Sequence, residues 1–198
     1  MLDKYFMKHT YTFFFTILFT GCSTYLLSDP TTEAATIEVN KNNPLIQAND
    51  YLGYHEDTHR AEIEEFTGVD PVYTQWCAAF VNAVLEESNL ASLNTPGASH
   101  CQSCKENLPH PYPLTARSFL HYGISISKED VMPGDLVIFP RGNEVWKGHV
   151  GFYLRTVEVN GVEYYWILGG NQSNKVSVVL YRSSKALGIR RPVKLING

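Results

Sequence analysis

The chain has 198 residues, 44% of them hydrophobic and 18% charged, and a formal net charge of −4. This length and apolar content are sufficient for one ordinary hydrophobic core and exclude an intrinsically disordered chain. The negative charge argues against a nucleic-acid-binding protein, because such proteins neutralise phosphates with lysine and arginine. We therefore expect one globular domain with no nucleic-acid partner.

The first 21 residues have the pattern of a secretory signal. Lys4 and Lys8 precede an apolar run at residues 11–20, which is too short to span a bilayer. We expect residues 1–21 to be a signal peptide that is removed from the mature protein.

Cys22 follows this run in the sequence Phe19-Thr20-Gly21-Cys22. The tetrapeptide resembles a bacterial lipobox, whose cysteine is lipidated and becomes the new N-terminus. Ser23 in the next position favours the outer membrane. The resemblance thus implies a lipoprotein of the cell envelope, anchored to the outer membrane through Cys22 and facing the periplasm. A cysteine that merely happens to follow an export signal is the alternative.

Residues 22–43 are rich in Thr, Asn and Glu and have no clear periodicity, which predicts a tether. A helix is predicted to follow, because Asn43 can cap it and Pro44 can occupy its first turn. Its apolar positions recur at helical spacing until about Gly53. We therefore place the folded domain at residues 44–198.

The acidic stretch at residues 55–70 is predicted to be a solvated loop or a short helix. His55 and His59 are four residues apart here and could hold a metal ion between them. Two surface histidines are the preferred interpretation.

Two further helices are predicted. Residues 75–89 repeat apolar side chains at helical spacing, which places Cys77 in the first turn and facing inward. A shorter helix at 114–122 is expected to end at Gly123, since glycine commonly terminates helices.

The period changes to that of strands after residue 134. Alternating apolar residues predict strands at 135–140, 149–157, 162–168 and 176–181. Asn160-Gly161 is the strongest local hairpin signal and joins two of these strands. Helices followed by hairpin-connected strands predict an α+β domain, in which N-terminal helices pack on a mostly antiparallel sheet.

Residues 94–113 are predicted to be an irregular insertion that carries Cys101 and Cys104. In an exported protein a disulfide is the default for such a pair. Free thiols are one alternative, and a zinc site with His100 and His110 is another, although a second ligand pair at defined spacing is missing. No Gly-rich phosphate loop occurs either, so we expect neither a metal nor a cofactor.

Cys77 and His149 are the candidates for nucleophilic catalysis. A thiol needs a base to become a strong nucleophile, and the free N–H groups of a helix N-terminus stabilise its thiolate and can bind an oxyanion. Strand alternation puts His149 opposite the apolar face, with Gly151 beside it leaving room for a substrate. A buried structural cysteine and a structural histidine are the alternatives.

The third residue of the site is expected to be Asn171 or Gln172. An amide can hold the base histidine in one tautomer. With a two-residue turn at 160–161, a regular ladder places His149 opposite Gln172. One bulge, which Gly169-Gly170 easily accommodates, would select Asn171 instead. Asn171 is the first choice and Gln172 the second.

Four longer motifs occur in the domain. They are Gln75-Trp76-Cys77-Ala78-Ala79-Phe80-Val81-Asn82, Pro133-Gly134-Asp135-Leu136-Val137-Ile138-Phe139, Gly148-His149-Val150-Gly151-Phe152-Tyr153 and Leu168-Gly169-Gly170-Asn171-Gln172. In this order they resemble the papain-like peptidoglycan hydrolases, which include the NlpC-type peptidases and the cysteine, histidine-dependent amidohydrolase/peptidase (CHAP) families.

The resemblance implies a papain-like fold with Cys77 as nucleophile, His149 as base and Asn171 as the residue that orients the base. Papain-like proteases take an oxyanion-hole glutamine from well before the nucleophile. Gln75, only two residues before Cys77, is the secondary candidate for that role. Gly169 stands where many CHAP relatives have a glutamate, so that carboxylate is missing here.

The resemblance also implies an activity. It is hydrolysis of an amide bond in peptidoglycan peptides through a thioester acyl-enzyme, by an endopeptidase or an N-acetylmuramoyl-L-alanine amidase. The sequence does not determine the oligomeric state, for which a monomer is the expectation. The alternatives are a non-catalytic wall-binding or scaffold lipoprotein on the same fold, and acyl transfer to an amine. Serine hydrolysis is disfavoured because no Gly-x-Ser-x-Gly motif occurs.

Overall fold

Asn43 and Pro44 begin the first helix, as the sequence predicts. The computed structural model describes residues 42–95 and 114–194. In it, Asn43 Oδ1 accepts a hydrogen bond from the N–H of Leu45 at 3.0 Å, and Pro44 lies at the first helical positions. The side chain thereby satisfies one of the N–H groups that a helix start leaves without a partner. Helix α1 spans Pro44–Asp50 and so ends earlier than the expected Gly53.

Several predictions concern residues outside the described ranges. These are the signal peptide at 1–21, lipidation of Cys22, most of the tether, and the pairing of Cys101 with Cys104 in the insertion at 94–113. They stay predictions.

Two more α-helices lie in the described part of the chain. Helix α2, Arg60–Thr67, lies in the acidic stretch and buries Ile63. Helix α3, Cys77–Glu87, begins at Cys77 and is almost entirely buried, with α1 and α2 packed against it on one side and the sheet on the other. The predicted short helix after it is a 3₁₀ helix, Ala116–His121, which ends before Gly123. No helix of the described residues is long and apolar enough to cross a membrane.

Six strands form one antiparallel sheet. They are β1 Ile124–Ile126, β2 Leu136–Pro140, β3 Gly148–Val159, β4 Val162–Gly169, β5 Ser177–Arg182 and β6 Gly188–Arg191. Their order across the sheet is β1-β6-β2-β3-β4-β5. The α+β class and the antiparallel sheet are thus confirmed, and the four predicted strands correspond to β2 to β5. Strands β1 and β6 were not predicted.

The hairpin of β3 and β4 has the turn that the sequence predicts. Val159 pairs with Val162, and both Asn160 and Gly161 have positive φ angles, of 52° and 73°. A two-residue hairpin turn of this type needs positive φ at both positions. The register then shifts by one residue between Tyr153 and Arg155. A bulge is therefore present, but in β3 and not at the expected Gly169-Gly170.

Strand β2 and the first half of β3 are buried on both faces of the sheet. Val150 and Phe152 on one face of β3 belong to the main core with the helices. On the other face Tyr153 belongs to a smaller cluster with Tyr165 and Ile167. Strand alternation assigns His149 to this second face, at the beginning of β3.

Candidate active site

Cys77 is the first residue of α3, and no side chain caps this helix. Trp76 at the N-cap position makes no capping hydrogen bond, so the first N–H groups of the helix have no capping acceptor. The backbone N–H groups of Cys77 and Ala78 instead lower the pKa of the Cys77 thiol, which favours its thiolate form. These groups and the helix dipole can also stabilise an oxyanion next to the sulfur.

The start of α3 packs closely against the sheet. Trp76 is fully buried, and its indole Nε1 donates to Glu56 Oε2 at 3.1 Å. A Cβ atom on Gly170 would lie 2.6 Å from the Trp76 ring and 2.7 Å from Phe80 Cβ, which is closer than side chains approach. The absence of a side chain at Gly170 therefore permits this close packing of α3 on the sheet.

The packing brings Cys77 to the beginning of β3. The backbone N–H of Val150 likewise lowers the pKa of the Cys77 thiol, which indicates that the start of β3 lies near the sulfur. Val150 directly follows His149 in the strand. The nucleophile and base candidates, 72 positions apart in sequence by their residue numbers, thus lie on elements that begin next to each other, since Cys77 and Gly148 line the same cleft.

His149 is held by Gln172. Its side chain is buried, and its Nε2 lies 3.2 Å from Gln172 Oε1. The imidazole also stacks on the Tyr181 ring, with centroids 5.4 Å apart and planes inclined by 15°. One hydrogen bond and one ring contact therefore fix the orientation of the imidazole.

The amide of Gln172 can face His149 in only one way. Its Nε2, which carries two hydrogens, lies within hydrogen-bond distance of three carbonyl oxygens, those of Ile167 at 3.3 Å, Gly169 at 3.2 Å and Ser177. The oxygen end must then point to the imidazole, and an oxygen can only accept, so His149 carries its proton on Nε2. Nδ1 is the unprotonated nitrogen, and it is buried with no hydrogen-bond partner among the described residues. A base with this tautomer is suited to take a proton through Nδ1.

Asn171 does not make the contact that was expected of it. The bulge in β3 would place His149 opposite Asn171 if the ladder continued, but the pairing of β3 with β4 ends at Phe152 and Leu168. Asn171 then has a φ of 55°, and its Nδ2 donates to Gln75 Oε1 at 3.3 Å. Because the ladder has ended, its register no longer decides which side chain faces the histidine. The side chain that accepts the hydrogen bond from His149 is Gln172, the second choice.

Gln75 lies at the surface beside the nucleophile and belongs to a polar cluster with Arg141 and Asn171. Arg141 Nη1 donates to Gln75 Oε1 at 2.9 Å, and Arg141 Nη2 donates to the backbone oxygen of Asn171 at 3.2 Å. Arg141 was not foreseen from the sequence. Its one available signal is its place directly after β2, whose last residue, Pro140, pairs with Gly148 beside the histidine.

Gly151 has a different role from the expected one. A Cβ atom there would lie 2.6 Å from Ile167 Cγ2 and 2.9 Å from the Leu168 oxygen. The missing side chain makes room for strand β4, and not for a substrate. The expectation that it opens space at the site is therefore wrong.

A cleft of about 490 Å³ opens onto Cys77. Its lining residues come from the start of α3, the segment before the 3₁₀ helix, and the loop between β2 and β3: Gln75, Cys77, Leu114, Thr115, Ala116, Arg141, Gly142, Trp146, Lys147 and Gly148. His149 is not among the described lining residues, and only 2% of its surface is exposed. A substrate in the cleft would therefore reach the sulfur first.

Burial makes the resting cysteine and histidine uncharged. It raises the pKa of the Cys77 thiol, against the lowering effect of the Arg141 charge and the backbone N–H groups. It lowers the pKa of His149 to about 4, and the Arg141 charge lowers that pKa further, against the raising effect of the hydrogen bond that His149 donates to Gln172. At neutral pH the thiol keeps its proton and the imidazole is a neutral base.

The histidines of the acidic stretch are engaged locally. His59 Nδ1 lies 2.9 Å from the Thr58 hydroxyl, and its ring stacks on Tyr54 with centroids 4.3 Å apart. His55 Nδ1 accepts from the N–H of Asp57 at 3.2 Å. Within residues 42–95 and 114–194, no group of three His, Cys, Asp or Glu side chains is arranged to hold a metal ion.

Comparison with known proteins does not assign a family. No protein-family model matches the sequence, and no curated protein matches it. The residues around Cys77 and His149, together with the motif resemblance, therefore carry the inference of function.

Proposed function

We propose that this protein is a cysteine hydrolase of papain-like fold that cleaves an amide bond in peptidoglycan peptides. Cys77 is the nucleophile, His149 the base and Gln172 the residue that orients the base. The observation that carries the proposal is the fixed Gln172–His149 hydrogen bond, because it leaves Nδ1 unprotonated on a histidine that directly follows Gly148, which lines the same cleft as Cys77.

The reaction would begin from the neutral pair. His149 Nδ1 takes the thiol proton while the Cys77 sulfur attacks the substrate carbonyl, so that no thiolate has to exist beforehand. The N–H groups of Cys77 and Ala78 stabilise the oxyanion. His149 then gives its proton to the leaving amine, and a thioester remains on Cys77. His149 then takes a proton from water, and the oxygen of this water attacks the thioester. The bond to sulfur breaks, the acid is released, and His149 returns the proton to the Cys77 sulfur.

The substrate class and the cellular location rest on motifs. The four motifs resemble hydrolases of peptidoglycan, and the lipobox-like sequence before Cys22 would anchor the protein in the envelope, where that polymer lies. The helix that carries Cys77 and the antiparallel sheet that carries His149 are compatible with the proposed fold.

Digestion of purified peptidoglycan tests the activity. The full-length protein should release new peptide products that mass spectrometry identifies, and the Cys77→Ala variant should release none while keeping its circular dichroism spectrum. The Cys22→Ala variant is the matched control, since it loses a cysteine outside the site and should remain active. Undiminished digestion by Cys77→Ala would contradict the proposal.

The second candidate function is that of a non-catalytic wall-binding protein. The burial of the two candidate catalytic side chains favours it. Cys77 and His149 are only 3% and 2% exposed, and burial opposes the charged form of both side chains. This candidate predicts that the protein sediments with insoluble peptidoglycan but releases no product under any condition. Product release that depends on Cys77 would exclude it.

A further inference from the structure

Arg141 has no carboxylate partner among the described residues, and it lines the same cleft as the nucleophile. Its two hydrogen bonds go to neutral acceptors, the side-chain oxygen of Gln75 and the backbone oxygen of Asn171. The ion pairs of the described residues are formed by other groups, so no described carboxylate pairs with Arg141. A guanidinium has five N–H donors, and two bonds leave the others available to a ligand.

The cleft has a positive lining. Arg141 and Lys147 are its two cations, and no acidic side chain occurs among its described lining residues. Lys147 differs from Arg141, because its Nζ pairs with Glu144 and lies 5.1 Å from the centre of the Trp146 ring. Arg141 is therefore the cation of this lining that has no described counter-charge.

The position of Arg141 is fixed before any ligand binds. Besides its contacts with Gln75 and Asn171, its backbone N–H bonds to the Lys147 oxygen at 3.4 Å across the β2–β3 loop. Arg117 Nε donates to the same oxygen at 2.8 Å and holds the loop against the 3₁₀ helix. A guanidinium held in this way loses little conformational freedom when a carboxylate binds.

We propose that the cleft binds an acidic peptide and that Arg141 accepts a substrate carboxylate close to the bond that Cys77 attacks. The inference rests on the proposed function for the cleavage step and adds the chemical class of the substrate. Its support is a pre-positioned guanidinium that has no described carboxylate partner and lines the same cleft as the nucleophile. Arg141 would then determine substrate specificity through a bidentate pair of hydrogen bonds from its guanidinium to the substrate carboxylate.

Matched substrates test the inference. We would measure kcat/KM on a muropeptide with free carboxylates and on the same muropeptide with its carboxylates converted to carboxamides. The protein should prefer the acidic form roughly 10- to 100-fold, the range expected for a hydrogen bond to a charged group. Arg141→Gln should remove most of this preference through KM, and Arg141→Lys should restore only part of it.

Arg155→Gln is the control, because Arg155 is an exposed cation near the other end of β3 that packs over Trp166. This variant also removes one positive charge, and it should keep the preference for the acidic muropeptide. Two results would overturn the inference. One is an equal kcat/KM of the unmodified protein on both muropeptides, and the other is a kcat/KM that Arg141→Gln lowers by the same factor on both. The second result would identify Arg141 as a structural or oxyanion-stabilising residue.

A binding measurement separates this inference from the proposed function. In the Cys77→Ala background, calorimetry with the same two muropeptides should give tighter binding of the acidic form, and Arg141→Gln should abolish the difference. If selective binding occurs but the protein cleaves nothing, the proposed hydrolase activity fails and the acidic-ligand site stands. If both muropeptides are cleaved and bound equally, the activity stands and the acidic-ligand site fails.

Discussion

The side chains of Gln172 and His149 meet at 3.2 Å in a buried site, with the amide oxygen facing Nε2 of the imidazole. Three backbone carbonyl oxygens surround the amide nitrogen and prevent it from turning toward the histidine. The tautomer of His149 is therefore set by the connection between β4 and β5. This makes Gln172 a positioning residue in the proposed reaction, with a role that can be separated from that of the neighbouring Asn171.

Gln172→Ala should lower kcat/KM on peptidoglycan peptides roughly 10- to 100-fold, because the imidazole loses the hydrogen bond that fixes its tautomer. Asn171→Ala is the matched variant one residue away and should have a smaller effect, since its side chain bonds to Gln75. Proton NMR of the imidazole should show the Nε2–H signal in Asn171→Ala and lose it in Gln172→Ala. The reverse order of activities would show that Asn171 is the orienting residue.

His149 should make the folded protein less stable as the pH falls from about 6.5 to about 4. The folded state holds the pKa of His149 at about 4, below the ordinary value of 6.5, so between these values only the unfolded chain binds the proton. The contribution of His149 to the free energy of unfolding is fully present above pH 6.5. It declines by roughly 3 kcal/mol in total as the pH falls from about 6.5 to about 4. Urea unfolding at a series of pH values from 4 to 7.5 measures this decline in the free energy of unfolding.

The His149→Gln variant is the control for this measurement. It lacks the titrating group, so its free energy of unfolding should have a smaller pH dependence than that of the unmodified protein over the same range. Identical slopes for the two proteins would mean that His149 does not titrate with a lowered pKa.

Cys77 should react slowly with iodoacetamide at neutral pH, since burial raises the pKa of its thiol. The rate, followed by mass spectrometry of the peptide that contains Cys77, should still be rising at pH 9. Arg141→Gln should slow the reaction further at any given pH, because the Arg141 charge lowers the pKa of the thiol. A rate that is already constant between pH 6 and 7 would instead reveal a preformed thiolate.

Gly170→Ala should reduce the free energy of unfolding by about 1–3 kcal/mol, the usual cost of forcing extra atoms into a packed core. The new methyl group would lie 2.6 Å from the Trp76 ring. Gly169→Ala is the matched control, because the nearest atom to its methyl group, His149 Nε2, lies at 3.4 Å. Denaturant midpoints of the two variants give the comparison, and equal midpoints would contradict the packing argument.

Local signals in the sequence predicted local structure correctly. Asn43 and Pro44 begin α1, and Asn160-Gly161 forms the turn between β3 and β4, because each signal acts within a few residues. The helical period of the motif around Cys77 likewise predicted a buried helix with the cysteine in its first turn. The nucleophile candidate was therefore placed on its element from sequence alone.

The remaining features depend on contacts between distant residues. Strands β1 and β6 pair with each other, and β6 also pairs with β2, although Gly188–Arg191 has a single large apolar residue, Ile189. The choice between Asn171 and Gln172 depended on a bulge in β3 and on where its pairing with β4 stops. Such pairings leave no periodic signal in the strand itself, and the same is true of Arg141 in its loop.

The segment between β4 and β5 should be unusually intolerant of changes in length. Gln172 bonds to the oxygens of Gly169, at the end of β4, and Ser177, at the start of β5, while it holds His149. Most surface loops accept insertions because nothing depends on their spacing. Here an inserted or deleted residue would shift the amide relative to both strands. Homologues that keep the histidine and cysteine but differ in this spacing would thus be expected to have lost, or replaced, the means of orienting the base.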